Sequence, residues 1–118
     1  MSDPKHIVLT GASSGIGAAL TQALAAEGHR LYVCARRRDR LDEATQHGNL
    51  AFGWPCDVSD EGQVIEFRRQ VRQRTATVDV LINCAGRLGA IGPVLETDSE
   101  EWLDTIKDNL FGTYLMVK

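Results

Sequence analysis

Two groups of residues in this chain have the types and spacing to do chemistry. In "TGASSGIG", Thr10 to Gly17, three glycines (Gly11, Gly15 and Gly17) stand between an apolar run and an amphipathic stretch. Glycines there let the backbone turn tightly and approach a ligand without Cβ interference, and the free N–H groups at the start of the next helix attract phosphate. The chemistry is that of a pyrophosphate cradle. In "YLMVK", Tyr114 and Lys118 are four residues apart. On a helix they share one face, and an ammonium beside a phenol favours the ionised phenol, so the pair has the spacing of a proton donor and its helper. The remaining candidates are weaker. Cys34, Cys56 and Cys84 form no CxxC pair, and His6, His29 and His47 are scattered, so the cysteines read as small reduced side chains and the histidines as structural or solvent-facing.

The elements that must position these residues alternate between apolar runs and amphipathic stretches, the signature of a parallel sheet with crossover helices. The first strand is read at His6 to Thr10, the second at Leu31 to Ala35, and Gly28 is the stop of the helix between them. "LAFGWPCD" is a third strand, kept short by Gly53 and Pro55. Asp60 caps a helix from Glu61 to about Arg74 in which Val64, Phe67 and Val71 recur at helical spacing. Val78 to Gly86 is the fourth strand and the most continuous apolar run. A long helix begins after Asp98, with Glu101 at capping-box spacing and Trp102, Ile106, Leu110, Tyr114 and Val117 near one face.

With 118 residues, 43% hydrophobic and 25% charged, the composition is that of one globular domain, and a net charge of -3 gives no case for nucleic acid or an anionic membrane. No run approaches the ~18 apolar residues of a membrane span, and "MSDPKHIVLTG" lacks the apolar segment of a signal peptide, so the expected location is cytoplasmic.

The glycine spacing is G-x-x-x-G-x-G, and with it the chain resembles the short-chain dehydrogenase/reductase family. "CDV" at Cys56 to Val58, "NCAG" at Asn83 to Gly86 and "DNLFG" at Asp108 to Gly112 agree with that family in order and distance, although Cys84 replaces its second asparagine. The resemblance implies the amino-terminal half of a Rossmann-type doubly wound α/β domain, its four strands ordered 3-2-1-4. It implies that Gly11, Ser13, Ser14, Gly15, Ile16 and Gly17 hold pyrophosphate and nearby ribose, that Asp57 and Val58 meet adenine, and that Asn83, Ala85 and Gly86 floor the nicotinamide side. Asn109 falls where the family has the asparagine of its catalytic tetrad, which bends the helix so that a carbonyl holds a relay water.

The end of the second strand chooses the cofactor, because an acid there binds the ribose 2′-OH and repels a 2′-phosphate. Ala35 stands there, followed by Arg36 and Arg37, so NADP(H) is expected over NAD(H), with Arg36 the main phosphate partner. The resemblance implies that the family's tyrosine, with a lysine four residues later, lies about forty residues beyond the asparagine, after a fifth strand carrying the serine, whereas only nine residues come after Asn109. Residues 1–118 therefore read as one dinucleotide-binding domain truncated before that region and inactive alone, with Tyr114 a packing residue rather than the proton donor. The complete relative is expected to transfer hydride between NADP(H) and a small carbonyl or secondary alcohol, as a homo-oligomer. A non-catalytic dinucleotide-binding or interaction module is the alternative.

Overall fold

A computed structural model describes residues 3–13, 15–45, 51–89 and 91–118; Ser14 and His47 lie outside them. Strands β1 (His6–Thr10), β2 (Arg30–Ala35), β3 (Ala51–Pro55) and β4 (Val80–Asn83) form one parallel sheet in the order β3-β2-β1-β4, which is the expected order. Helices α1 (Gly15–Ala26), α2 (Arg38–Thr45) and α3 (Glu61–Arg72) are the crossovers.

Side-chain alternation explains why the sheet is covered on both faces. Ile7 and Leu9 of β1 join Leu31, Val33 and Ala35 of β2 on one face, packed against Leu20 and Leu24 of α1 and Leu41 of α2. Val8, Tyr32 and Cys34 point the other way, onto Val64, Phe67 and Val71 of α3 and Leu115. Consecutive residues of one strand therefore serve opposite layers, as buried parallel strands require. Two of the histidines make structural contacts: the His6 ring nitrogen Nδ1 is 2.9 Å from the Tyr32 hydroxyl, and His29 Nδ1 accepts from the Lys5 N–H at 3.0 Å.

Several boundaries are tighter than the sequence pattern suggests. Gly28, at φ 91°, ends α1 as expected. Strand β4 covers Val80–Asn83 rather than residues 78–86, because the Cys84 and Ala85 N–H groups turn to the Thr10 hydroxyl at 3.2 and 3.1 Å. Strand β3 stops at Pro55, although one further bond, from the Cys56 N–H to the Ala35 carbonyl at 2.9 Å, extends the pairing. Asp60 caps α3 as expected, accepting from the Gln63 N–H at 3.1 Å. That helix ends at Arg72, where the Arg74 N–H tightens onto Val71.

The larger correction concerns the last helical stretch. Asp98 accepts from the Glu101 N–H at 3.3 Å and starts helix α4 (Ser99–Ile106). A π-helical turn, Lys107–Phe111, then interrupts the α geometry before α5 (Gly112–Val117). Within and after that turn Asp108, Gly112 and Leu115 face inward. The stripe expected to pack, Trp102, Ile106, Leu110, Tyr114 and Val117, is exposed.

Candidate functional site

The C-terminal ends of β2, β1 and β4 open onto a cavity of about 470 Å³. Its floor is the glycine turn. Gly11 has φ 70°, and a Cβ on it would lie 2.7 Å from the backbone at Cys84 and Ala85; one on Gly17 would lie 1.9 Å from the Gly11 carbonyl oxygen. Glycine is required at both positions because backbone meets backbone there. Ser13, Gly15 and Ile16 complete this wall, and Ile16 is exposed.

Basic residues form the second wall. Ala35 ends β2, and Arg36, Arg37 and Arg40 come next along the cavity. Arg37 pairs with Asp39 at 3.3 Å. The backbone N–H of Arg40, with help from Arg37, holds the Asp39 carboxyl below its usual range. Arg36 reaches Asp108 at 3.8 Å.

Cys56, Asp57, Val58, Cys84, Ala85, Gly86 and Asp108 line the remainder. Asp57 has a local role as well: its Oδ1 accepts from the Ser59 N–H at 3.0 Å and the Ser59 hydroxyl at 2.7 Å. Its side chain thereby braces the turn leading to α3. Cys34 and Cys56 are buried free thiols, and Cys84 is half-buried. A hydrogen bond with Cys56, then burial, raises the Cys34 thiol well above its ordinary range, which keeps it protonated and inert. Among the described residues no group of histidines, cysteines or acids could hold a metal ion.

Of the residues singled out in the sequence, the fold brings Gly11, Ser13, Gly15, Ile16, Gly17, Arg36, Arg37, Asp57, Val58, Ala85 and Gly86 to this one cavity. Asn83 is exposed at the end of β4 and does not line it. Arg40 and Asp108 were missed. Arg40 stands in the first turn of α2, just after the Arg36–Arg38 cluster that the sequence already shows, whereas Asp108 is buried in the π turn, which no local pattern announces.

Asn109 stands behind the cavity. Its amide donates to the Arg87 carbonyl and accepts from the Arg87 N–H, both at 2.8 Å, clasping the segment after β4 to the π turn. Gly86 makes room for it, since a Cβ there would come within 2.8 Å of Asn109 Oδ1. The Asn109 carbonyl accepts from the Thr113 hydroxyl at 3.2 Å.

Tyr114 does not line the cavity. Its ring is stacked on Phe111 with centroids 6.1 Å apart, and the Lys118 ammonium lies 5.9 Å over it while pairing with Glu61 at 3.4 Å. It is 55% exposed, so the expectation of a packed side chain fails while its separation from the cavity holds. Tyr114→Phe is therefore expected to change NADPH affinity by less than about threefold, under 1 kcal/mol. A fluorescence titration giving a loss of tenfold or more would return the phenol to the site.

A parallel sheet ordered 3-2-1-4, with a glycine turn at the end of its first strand and a cavity over the strand ends, is a Rossmann-type dinucleotide-binding fold. The family model described as short chain dehydrogenase matches residues 5–118, and the chain belongs to that family. It is 42% identical over 115 residues to a ketoacyl reductase assigned to the granaticin polyketide synthase of Streptomyces violaceoruber, covering 94% of this chain and 42% of that one. A D-threitol dehydrogenase of Mycolicibacterium smegmatis is 34% identical, with 97% of this chain and 45% of the relative covered. The solved structure of actinorhodin polyketide ketoreductase with NADPH is 37% identical with a TM-score of 0.88, covering 98% of this chain and 45% of that one. The chain thus spans less than half the length of the relatives it matches.

Proposed function

We propose that this chain is the cofactor-binding part of an NADP(H)-dependent oxidoreductase that moves hydride between the nicotinamide and a small carbonyl or secondary alcohol. The observation that carries the cofactor choice is the end of β2: Ala35 where an acid would bind the 2′-OH, followed by Arg36, Arg37 and Arg40 on the cavity wall. The NADPH complex of the actinorhodin ketoreductase supports the same choice. In this reading Gly11, Ser13, Gly15, Ile16 and Gly17 hold the pyrophosphate, and Val58 and Asp57 meet the adenine. Ala85 and Gly86 lie under the nicotinamide-side ribose, with Asn83 next to them at the strand end. Asn109 supports the reacting end. A serine and a Tyr-x-x-x-Lys in a further segment supply carbonyl orientation and the proton that hydride chemistry needs.

The proposal includes a homo-oligomer whose contact covers the exposed stripe of Trp102, Leu110 and Tyr114; a monomeric mass by sedimentation equilibrium in the active protein would remove that part. The cofactor reading is tested by fluorescence titration. NADPH should bind about tenfold or more tighter than NADH, and Arg36→Ala should remove about 1–2 kcal/mol of the difference, as a charge-assisted contact does. Equal affinities in the parent protein would overturn it.

A further inference from the structure

Asp108 is the one buried acid among the described residues, 8% exposed, and it projects from the π turn into the cavity wall. Two arginines from different elements converge on its Oδ2, Arg87 through Nε at 2.5 Å and Arg36 through Nη1 at 3.8 Å. The two are not held alike. Arg87 is fixed at both ends, its side chain by Asp108 and its backbone by the Asn109 amide, and its side chain is 32% exposed. Arg36 makes only the longer contact and is 56% exposed. A buried carboxylate needs one close cation to be tolerated, and Arg87 is that cation. Arg36 is the surplus one, drawn from the end of β2 toward the π turn and away from Asp39, which Arg37 occupies.

We propose that Asp108 is a specificity-setting residue that competes with the cofactor's 2′-phosphate for Arg36. The inference rests on the NADP(H) reading and deepens it. Before binding, the Arg36–Asp108 pair ties the end of β2 to the π turn along the cavity wall. A 2′-phosphate offers Arg36 more charge and a bidentate acceptor, so the guanidinium transfers to it, while Arg87 stays on Asp108 and keeps the buried carboxylate neutralised. One cost then falls on the phosphate and on no other part of the cofactor: the lost Arg36–Asp108 attraction. A cofactor without the phosphate leaves the pair in place. Asp108 therefore moderates the preference that Arg36 creates.

The direction is testable, since removing an acid beside a binding site ordinarily disturbs both cofactors together. Asp108→Asn should tighten NADPH about three- to tenfold at low salt and change NADH by less than about twofold, the gain shrinking as salt screens the charges. In an Arg36→Ala background the same substitution should no longer alter the NADPH-to-NADH ratio. On the unmodified protein, titration with adenosine 2′,5′-bisphosphate followed by arginine Nε NMR should shift the Arg36 resonance and leave that of Arg87 in place. Weaker NADPH binding by Asp108→Asn, an equal gain for both cofactors, or movement of Arg87 with Arg36 would overturn the proposal. If Arg36→Ala itself leaves NADPH affinity untouched, the cofactor reading fails too. If it weakens NADPH and Asp108→Asn brings no gain, this inference alone fails.

Discussion

Gly17→Ala is expected to cost at least about a hundredfold in NADPH affinity and to destabilise the protein by about 3 kcal/mol, at the upper end of what overpacking a tight site costs. The added Cβ would sit 1.9 Å from the Gly11 oxygen, 2.7 Å from the Gly11 carbonyl carbon and 3.3 Å from the Ala12 nitrogen. All three are backbone atoms, so no rotamer change relieves the contact. Gly11 cannot retreat, because its own Cα faces the Cys84–Ala85 backbone, where a Cβ would meet atoms at 2.7 to 2.8 Å. The start of α1 must move away instead, taking with it the N–H groups that are proposed to receive the pyrophosphate. Gly15 supplies the control. It has φ 56° with nothing within 4 Å of its Cβ position, so Gly15→Ala meets only the left-handed backbone penalty of about 1–2 kcal/mol. Chemical denaturation and cofactor titration of the two variants should separate widely. Equal effects would mean that the turn is held by backbone conformation and not by the packing of Gly17 against Gly11.

Much of this architecture is legible in the sequence because it is locally determined. The apolar runs that become β1 and β2, the Asp60 and Asp98 caps and the glycine turn each announce themselves within a few residues, and the family resemblance supplies the strand order that local pattern lacks. The errors have a common cause in contacts between distant segments. β4 ends early because Thr10, 74 residues away, takes the Cys84 N–H. The π turn carries no propensity signal of its own; it accompanies the hold of Asn109 and Asp108 on Arg87 across more than twenty residues. The stripe read from Trp102 to Val117 is exposed both before and after the π turn, and the side that packs carries Asp108, Gly112 and Leu115 instead. Asp108, not singled out in the sequence, is a buried partner of two arginines from distant segments.

The clasp between Asn109 and Arg87 is where fold and chemistry meet in the proposed enzyme, and it sets the expected behaviour of Asn109→Ala. The substitution removes two 2.8 Å hydrogen bonds to one backbone unit. Asn109 is exposed, so water replaces part of what is lost and the stability cost should stay near 1–2 kcal/mol. The positional cost is larger. With the clasp gone, the polar tie left between the described residues after β4 and the π turn is the Arg87–Asp108 pair, and Gly86 on the cavity wall faces an empty space where Asn109 Oδ1 stood. A reacting geometry displaced by about 1 Å loses on the order of a hundredfold in rate. In the active protein, Asn109→Ala should therefore lower kcat about a hundredfold while NADPH affinity changes by only a few-fold, because the asparagine itself does not line the cavity. Asn109→Asp should be no better, although it is the closest isostere: it can still accept from the Arg87 N–H, but it sets a carboxylate oxygen against the Arg87 carbonyl, which has lost its donor. Steady-state kinetics with a parallel cofactor titration decide the matter. If Asn109→Ala weakens NADPH by the full hundredfold and spares kcat, Asn109 belongs to cofactor binding. If Asn109→Asp retains full activity, the two-way clasp is not what positions the site.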